Sequence, residues 1–517
     1  MRSSISTVIA LWLASLGSTS SAREALPAPI MTNDGPVIGV VREHFRSYKG
    51  IPYARAPVAR LRWRAPVRPR PWTEPLAASA YGPACLQPDT QALADTATSE
   101  DCLTLNVWTP AQPATPRPVL FWIHGGGFRF GSGQIPGEVF ARQGAVVVSI
   151  NYRMGPLGWM AHPALKSKSA NFGLQDMTLA LNWVQDNISH FGGDPNNVTI
   201  FGVSAGGMAV NMLMASETAR GLFHKAIAQS GYGTWALPRS RLAATPGPLS
   251  MSQAPAESAE AIGRALIARI TDAKQSRSTL RGLDGQRLVD AIDGFQLPIV
   301  DGSTIIEEPA IRFMHGQHAR VPFITGGNSF EGSVMPRSGI SIATFKNDLG
   351  THLEHAQRLY ADDFAVHDRQ GYQRLFGDNR YLLAAHSMGL SSARSGAPTW
   401  LYYVDFLASA QRDHLPGAPH GGDAMMLFAG HRSEDPEVQA VALRMQRYWL
   451  AFAASGNPNG SRAEQANSPA LWPTFDERQQ RWLRIDSTDR VEPRILGAKL
   501  DWLESRYRSR VAALRKR

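Results

Sequence analysis

The hexapeptide Gly202-Val203-Ser204-Ala205-Gly206-Gly207 constrains this 517-residue chain more than any other segment. It follows an apolar, β-branched run, Val198-Thr199-Ile200-Phe201, and precedes a helix-forming stretch over residues 208–214. A G-x-S-x-G pattern between a strand and a helix is a nucleophile elbow: the sharp turn lifts a serine hydroxyl above the sheet edge, and small flanking residues leave room for it. The bland reading of the same pattern is a structural turn serine. The strand–turn–helix context favours the elbow and predicts helices packed on a sheet.

Further strand-like runs lie at 119–123, 145–150 and 322–325, with helical periodicity over 173–190. Runs that are apolar throughout and bounded by glycine indicate strands buried on both faces. Their alternation with helices predicts an α/β fold with a large, mostly parallel central sheet. Residues 237–260, rich in Pro, Ala and Ser, are expected to form a long surface excursion, followed by helices near 261–273 and 286–292. Insertions of this kind over the catalytic edge build a lid or gorge wall.

Serine is a weak nucleophile at neutral pH, so Ser204 needs a base, an orienting acid and an oxyanion site. His124-Gly125-Gly126-Gly127-Phe128 directly follows the 119–123 strand. Its glycines let backbone N–H groups turn inward, where with Ala205 N–H they can hold an oxyanion. The other reading, a phosphate-binding turn, lacks any G-K-[ST] or dinucleotide fingerprint. In this fold class the acid and then the base follow the serine in the chain. Glu331 stands in a glycine-flanked turn just past the 322–325 strand. His420 occupies the loop Gly417-Ala418-Pro419-His420-Gly421-Gly422, with His414 and His431 as competitors. These pieces span residues 124 to 420, so one domain over 23–517 is expected despite a length that would allow several.

Residues 1–22 have the form of a secretory signal: Arg2, an apolar stretch over 8–16, and Ser20-Ser21-Ala22. The stretch is too short to span a bilayer, so a secreted or periplasmic location is expected. Export makes a disulfide between the two cysteines, Cys85 and Cys102, the expected state; closing such a loop contributes roughly 3 kcal/mol. No cysteine spacing suggests zinc, and His315 and His318 are expected at the surface, so no metal is expected. The net charge of +10 is concentrated in the tail, where Arg506, Arg508, Arg510, Arg515, Lys516 and Arg517 fall in the last twelve residues. A solvated helix end explains this better than nucleic-acid binding; weak contact with an anionic surface is the alternative.

Taken together, the motifs resemble the type-B carboxylesterases, the cholinesterase-like branch of the α/β-hydrolases, in their bacterial secreted form. The resemblance runs over nearly the whole mature chain: 48–54 (YKGIPYA), 99–106 (SEDCLTLN), 124–128, Asn151-Tyr152-Arg153, 191–195 (FGGDP), the elbow, Gln229-Ser230-Gly231, 328–333, Pro419-His420-Gly421 and 456–459 (GNPN). It implies an α/β-hydrolase fold whose insertions form a gorge, and two-step hydrolysis of a small-molecule ester without a cofactor. By position it makes Ser204 the nucleophile, Glu331 the acid and His420 the base, with oxyanion donors at Gly126, Gly127 and Ala205. It also implies the Cys85–Cys102 disulfide and an Arg62–Glu100 salt bridge.

The chain departs from that pattern beside the nucleophile. Val203 replaces the usual glutamate before the serine, and Phe330 the polar residue before the acid. Arg129 stands where cholinesterases are aromatic, and no aromatic residue lies between Cys85 and Cys102. All four weaken a cation site, so a cholinesterase is excluded and neutral or anionic esters are expected. The bland alternative is that Val203 and Phe330 pack while Arg129 faces solvent or pairs structurally. Trp235 is a candidate acyl-pocket wall. Lipase, amidase or lactonase chemistry on the same triad, or a non-catalytic neuroligin-like role, are the competing functions, and oligomeric state is not legible.

Overall fold

The computed structural model describes residues 28–88, 96–112, 115–243, 257–461 and 470–514. The expected signal segment and most of the 237–260 excursion lie outside the described residues. Eleven strands form the main sheet among them: β1 (Val40–Val41), β2 (Phe45–Pro52), β3 (Thr104–Pro110), β4 (Arg117–Ile123), β5 (Val146–Ile150), β6 (Gly193–Val203), β7 (Lys225–Gln229), β8 (Phe323–Asn328), β9 (Thr399–Val404), β10 (Arg481–Ile485) and β11 (Arg490–Pro493). Their spatial order is β11-β10-β9-β8-β7-β6-β4-β5-β3-β2-β1. The run from β10 to β5 is parallel, and antiparallel strands close both edges.

The apolar runs are continuous because side chains alternate between two cores. Along β4, Val119, Phe121 and Ile123 enter one core while Leu120 and Trp122 enter the other. Along β5, Val146, Val148 and Ile150 face the first and Val147 the second. Helices α1 (Phe172–Asn187), α2 (Ala205–Met214), α3 (Leu383–Arg394) and α6 (Ala498–Leu514) cover the first core. Helices α4 (Gly422–Ala429) and α5 (Pro436–Ser455) cover the second through Leu427, Phe428, Met445 and Trp449.

Cys85 and Cys102 form a disulfide. Beside it Arg62 Nε donates to Glu100 at 2.8 Å, and Arg62 Nη1 donates to the Leu283 carbonyl at 2.6 Å. The expected surface position of His318 is incorrect: it is 1% exposed and stacks on Phe313 at 4.1 Å. Among the described residues no group of three His, Cys, Asp or Glu is placed to hold a metal, and no helix is long and apolar enough to cross a membrane. In α6, Leu503, Tyr507 and Val511 are buried, Arg508 pairs with Glu504, and Arg506 lies over Trp502. Residues 515–517 are outside the described set.

Candidate active site

The carboxyl ends of β6, β7, β8 and β9 are laced together by backbone hydrogen bonds. Ser204 N donates to Gln229 O, Ser230 N to Gly326 O and Ser329 N to Val404 O, each at 2.8 Å. Ser204 therefore stands at one end of a four-strand edge whose other positions carry Ser230, Glu331 and the loop to His420. Its φ of 58° and ψ of −118° are strained for a residue with a side chain, as an elbow requires. Gly206 has no room for a Cβ, which would fall 2.0 Å from the Ile123 carbonyl, so the start of α2 packs directly on β4.

Glu331 is 1% exposed and anchors the acid side. Its Oε1 accepts from Ser230 Oγ at 2.6 Å, from Asn328 N at 2.6 Å and from Asn328 Nδ2 at 3.1 Å. Its Oε2 pairs with His420 Nδ1 in a short contact. Burial by itself raises a carboxyl pKa, but the His420 partner and these donors outweigh it and hold Glu331 below the ordinary glutamate range. With Nδ1 engaged, the free end of His420 is Nε2, which is buried and has no hydrogen-bond partner among the described residues. Behind the pair, Asn328 Nδ2 also reaches Asp423 at 3.2 Å, and Tyr402 OH donates to Asp423 at 2.6 Å.

The loop bearing His420 is clamped to the loop bearing Glu331. Phe330 N donates to Ala418 O at 2.8 Å, Ala418 N to Ser329 Oγ at 2.8 Å, and His420 N to Ser333 Oγ at 2.9 Å. Arg374 closes the clamp by donating to the carbonyls of Ser329 and of Pro416, while its Nε holds Asp363 at 3.1 Å.

On the opposite side, Gly126 (φ 105°) leads the oxyanion loop. The Gly126 carbonyl accepts from Arg129 N and Phe130 N, and the Gly127 carbonyl accepts from Gln296 N at 2.9 Å. These bonds fix the peptide planes, while the N–H groups of Gly126, Gly127 and Ala205 donate to no other backbone group described outside helices and strands. His124 props the loop from behind: its ring stacks on Tyr152 at 4.2 Å and its Nδ1 bonds Gly125 O at 2.8 Å.

The residues singled out around the nucleophile divide. Val203 is half-buried and packs on the second core, and Phe330 is buried with the Arg374 guanidinium 4.9 Å above its ring, so both do the packing of the bland alternative. Arg129 Nη1 donates to the Gly294 carbonyl at 3.1 Å. Trp235 is half-buried, bonds Asn379 O at 3.2 Å and lies against Phe376. Sequence reasoning did not single out Ser230, Asn328 or Arg374 for their roles here. Ser230 and Asn328 sit in motifs it quoted, whereas Arg374 carries no local signal.

Fold and site together define a serine-type hydrolase of the α/β class. The chain belongs to the carboxylesterase family, whose model matches residues 27–502. It is 32% identical over 492 residues to the para-nitrobenzyl esterase of Bacillus subtilis (strain 168), covering 90% of this chain and 96% of that protein. It is likewise 32% identical over 513 residues to the fumonisin B1 esterase of Sphingopyxis macrogoltabida, covering 90% and 89%. A solved PNB esterase superposes with a TM-score of 0.76 at 29% identity, covering 93% of this chain and 99% of its own. The chain is thus a carboxylic ester hydrolase with the α/β-hydrolase fold, and its substrates are small esters.

Proposed function

We propose that Ser204 is the nucleophile, His420 the general base and Glu331 the orienting acid of a two-step acyl transfer. His420 Nε2 takes the Ser204 proton as Oγ attacks the ester carbonyl, then returns it to the departing alcohol; water repeats the cycle and releases the acid. Glu331 stabilises the imidazolium. The N–H groups of Gly126, Gly127 and Ala205 hold the oxyanion, each donor in such a site contributing about 3–4 kcal/mol to the transition state. The observation that carries this reading is the Glu331–His420 pair with its open Nε2, on the strand edge that bears a strained serine. Substrates are neutral or anionic esters; the relatives named for para-nitrobenzyl and fumonisin B1 esters are consistent with that range. The enzyme is exported by its first 22 residues, and the Cys85–Cys102 bridge fits an oxidising compartment.

Ser204→Ala tests the assignment: hydrolysis of a neutral p-nitrophenyl ester should fall on the order of 10^5- to 10^6-fold. Hydrolysis at an undiminished rate in a folded Ser204→Ala protein overturns it. N-terminal sequencing of the exported protein tests the leader, with a mature end near residue 23 expected.

A further inference from the structure

Arg380 is 3% exposed, and among the described residues no carboxylate lies within ion-pair distance of it. The other buried arginines in the described set each hold one: Arg62 with Glu100, Arg153 with Asp176, Arg312 with Glu217. Arg380 instead lies among aromatic rings, its guanidinium 4.4 Å from the centre of Tyr232, 4.7 Å from Trp235, 5.8 Å from Tyr381 and 5.9 Å from Phe295. Among the described residues its Nε and the hydroxyls of Tyr232 and Tyr381 make no hydrogen bond of full geometry, and the neutral hydroxyls of Tyr232 and Tyr381, which the guanidinium approaches, bring no counter-charge. Withdrawing a guanidinium from water without a counter-charge is unfavourable, and aromatic faces offset only part of the loss.

The position is as informative as the missing partner. The Tyr381 ring lies 4.5 Å from the His420 ring. The Phe295 ring fills the space just outside Gly127, where a Cβ would meet it at 2.1 Å. Arg380 is therefore one aromatic side chain away from both the base and the oxyanion loop. Phe295 is half-buried and also lines a cavity of about 390 Å³ with Trp159, Leu266 and Leu297. Arg380 sits in a π-helical turn, Asp378–Leu382, a rare geometry that concentrates at functional sites. The nearby acids are directed elsewhere: Glu331 is held by His420, Ser230 and Asn328, and buried Asp378, in the same turn, faces Arg374, Lys499 and Tyr360.

We infer that Arg380 is a carboxylate receptor within the ester-binding site, and that the preferred substrates are esters carrying a free carboxylate, such as half-esters of dicarboxylic acids. The planar guanidinium offers a carboxylate two parallel donors, and the aromatic walls keep water from competing. Trp235, the acyl-pocket candidate, flanks the guanidinium, which places the carboxylate on the acyl side. The inference rests on the catalytic reading above.

The test compares three esters of similar size: p-nitrophenyl hemiglutarate (carboxylate on the acyl side), 4-carboxyphenyl pentanoate (on the alcohol side) and p-nitrophenyl pentanoate (neutral). The wild type should prefer a carboxylate ester, and Arg380→Met should reduce the kcat/KM ratio of that ester to the neutral one by roughly 10- to 100-fold. Arg380→Lys should recover part of the ratio, and free glutarate should inhibit wild type more strongly than Arg380→Met. The Tm of Arg380→Met should equal or exceed that of wild type, because an unpaired buried charge is removed. An Arg380-dependent preference for the hemiglutarate supports the receptor, and one for 4-carboxyphenyl pentanoate overturns its placement on the acyl side. A ratio unchanged by Arg380→Met overturns it, and rates and Tm that fall together mark a structural arginine. Turnover of the neutral ester that disappears in Ser204→Ala keeps the catalytic reading standing whichever way the ratio falls.

Discussion

Replacing Glu331 by glutamine preserves shape but leaves one acceptor where the carboxylate has two. The structure decides which way the amide turns. At the Oε1 position the oxygen keeps the bonds from Ser230 Oγ, Asn328 N and Asn328 Nδ2, and the NH2 group then faces His420 Nδ1. The reverse orientation sets the NH2 against those donors. Ser230 could rotate its hydroxyl to accept, but the Asn328 backbone N–H cannot. Flipping the Asn328 amide would break the 3.0 Å bond that its Oδ1 accepts from Asp423 N. At least two buried hydrogen bonds are lost that way, about 1–3 kcal/mol each, so the first orientation wins. His420 Nδ1 must then accept, its proton moves to Nε2, and the ring cannot take a proton from Ser204. Loss of the correct tautomer in a triad lowers kcat by about 10^4-fold, or about 5.4 kcal/mol at 1.36 kcal/mol per decade. The assay is kcat on a neutral p-nitrophenyl ester, with near-UV circular dichroism to establish folding. A folded Glu331→Gln enzyme within tenfold of wild type would refute the reasoning.

Gly126→Ala should lower kcat by 10²- to 10³-fold with little change in KM, because φ is 105° and the new Cβ would lie 1.9 Å from the Phe130 carbonyl, displacing an oxyanion donor; a rate within threefold of wild type contradicts the placement of that donor. Arg374→Met should loosen the clamp between the Glu331 and His420 loops, lowering kcat about tenfold and speeding proteolysis near residue 416; an unchanged kcat would show that the backbone bonds suffice. The pKa of His124 is pushed down to about 4 by burial, partly opposed by its bond to the Gly125 carbonyl. Because the folded value lies below the unfolded one of 6.5, the native state is favoured above pH 6.5 and loses about 3 kcal/mol as pH falls towards 4. His124→Phe should remove that acid limb, and denaturation curves of both proteins with parallel pH dependence would contradict it.

What was legible in the sequence is what local chemistry dictates. The elbow, the glycine loop after β4 and the turn carrying Glu331 show themselves through glycines at strand ends, and strands 119–123 and 322–325 are observed as Arg117–Ile123 and Phe323–Asn328. The helix expected over 173–190 runs from Phe172 to Asn187 and continues as a 3-10 turn, while the one expected over 261–273 is Ala259–Ala268, begun by a Ser258 cap. Long-range contacts outside the quoted motifs were not legible, whereas the Cys85–Cys102, Arg62–Glu100 and Glu331–His420 pairs, which lie within them, were. His318 is drawn inward by stacking on Phe313, Arg129 finds the Gly294 carbonyl across the oxyanion loop, and Arg374 bridges two loops that are distant in sequence. Arg380 carries no motif; its meaning lies in the absence of an acid beside it among the described residues and the presence of four rings that come from three separate segments.

The most direct test of the central claim is to trap the intermediate. A p-nitrophenyl ester is mixed with enzyme, the reaction is stopped in acid within the first turnover, and the digested protein is mapped by mass spectrometry. The acyl group should reside on the peptide containing Ser204, appear with the burst of nitrophenol, and be absent in Ser204→Ala. An acyl group on another residue, or steady hydrolysis with no covalent intermediate and full activity in Ser204→Ala, would contradict the account.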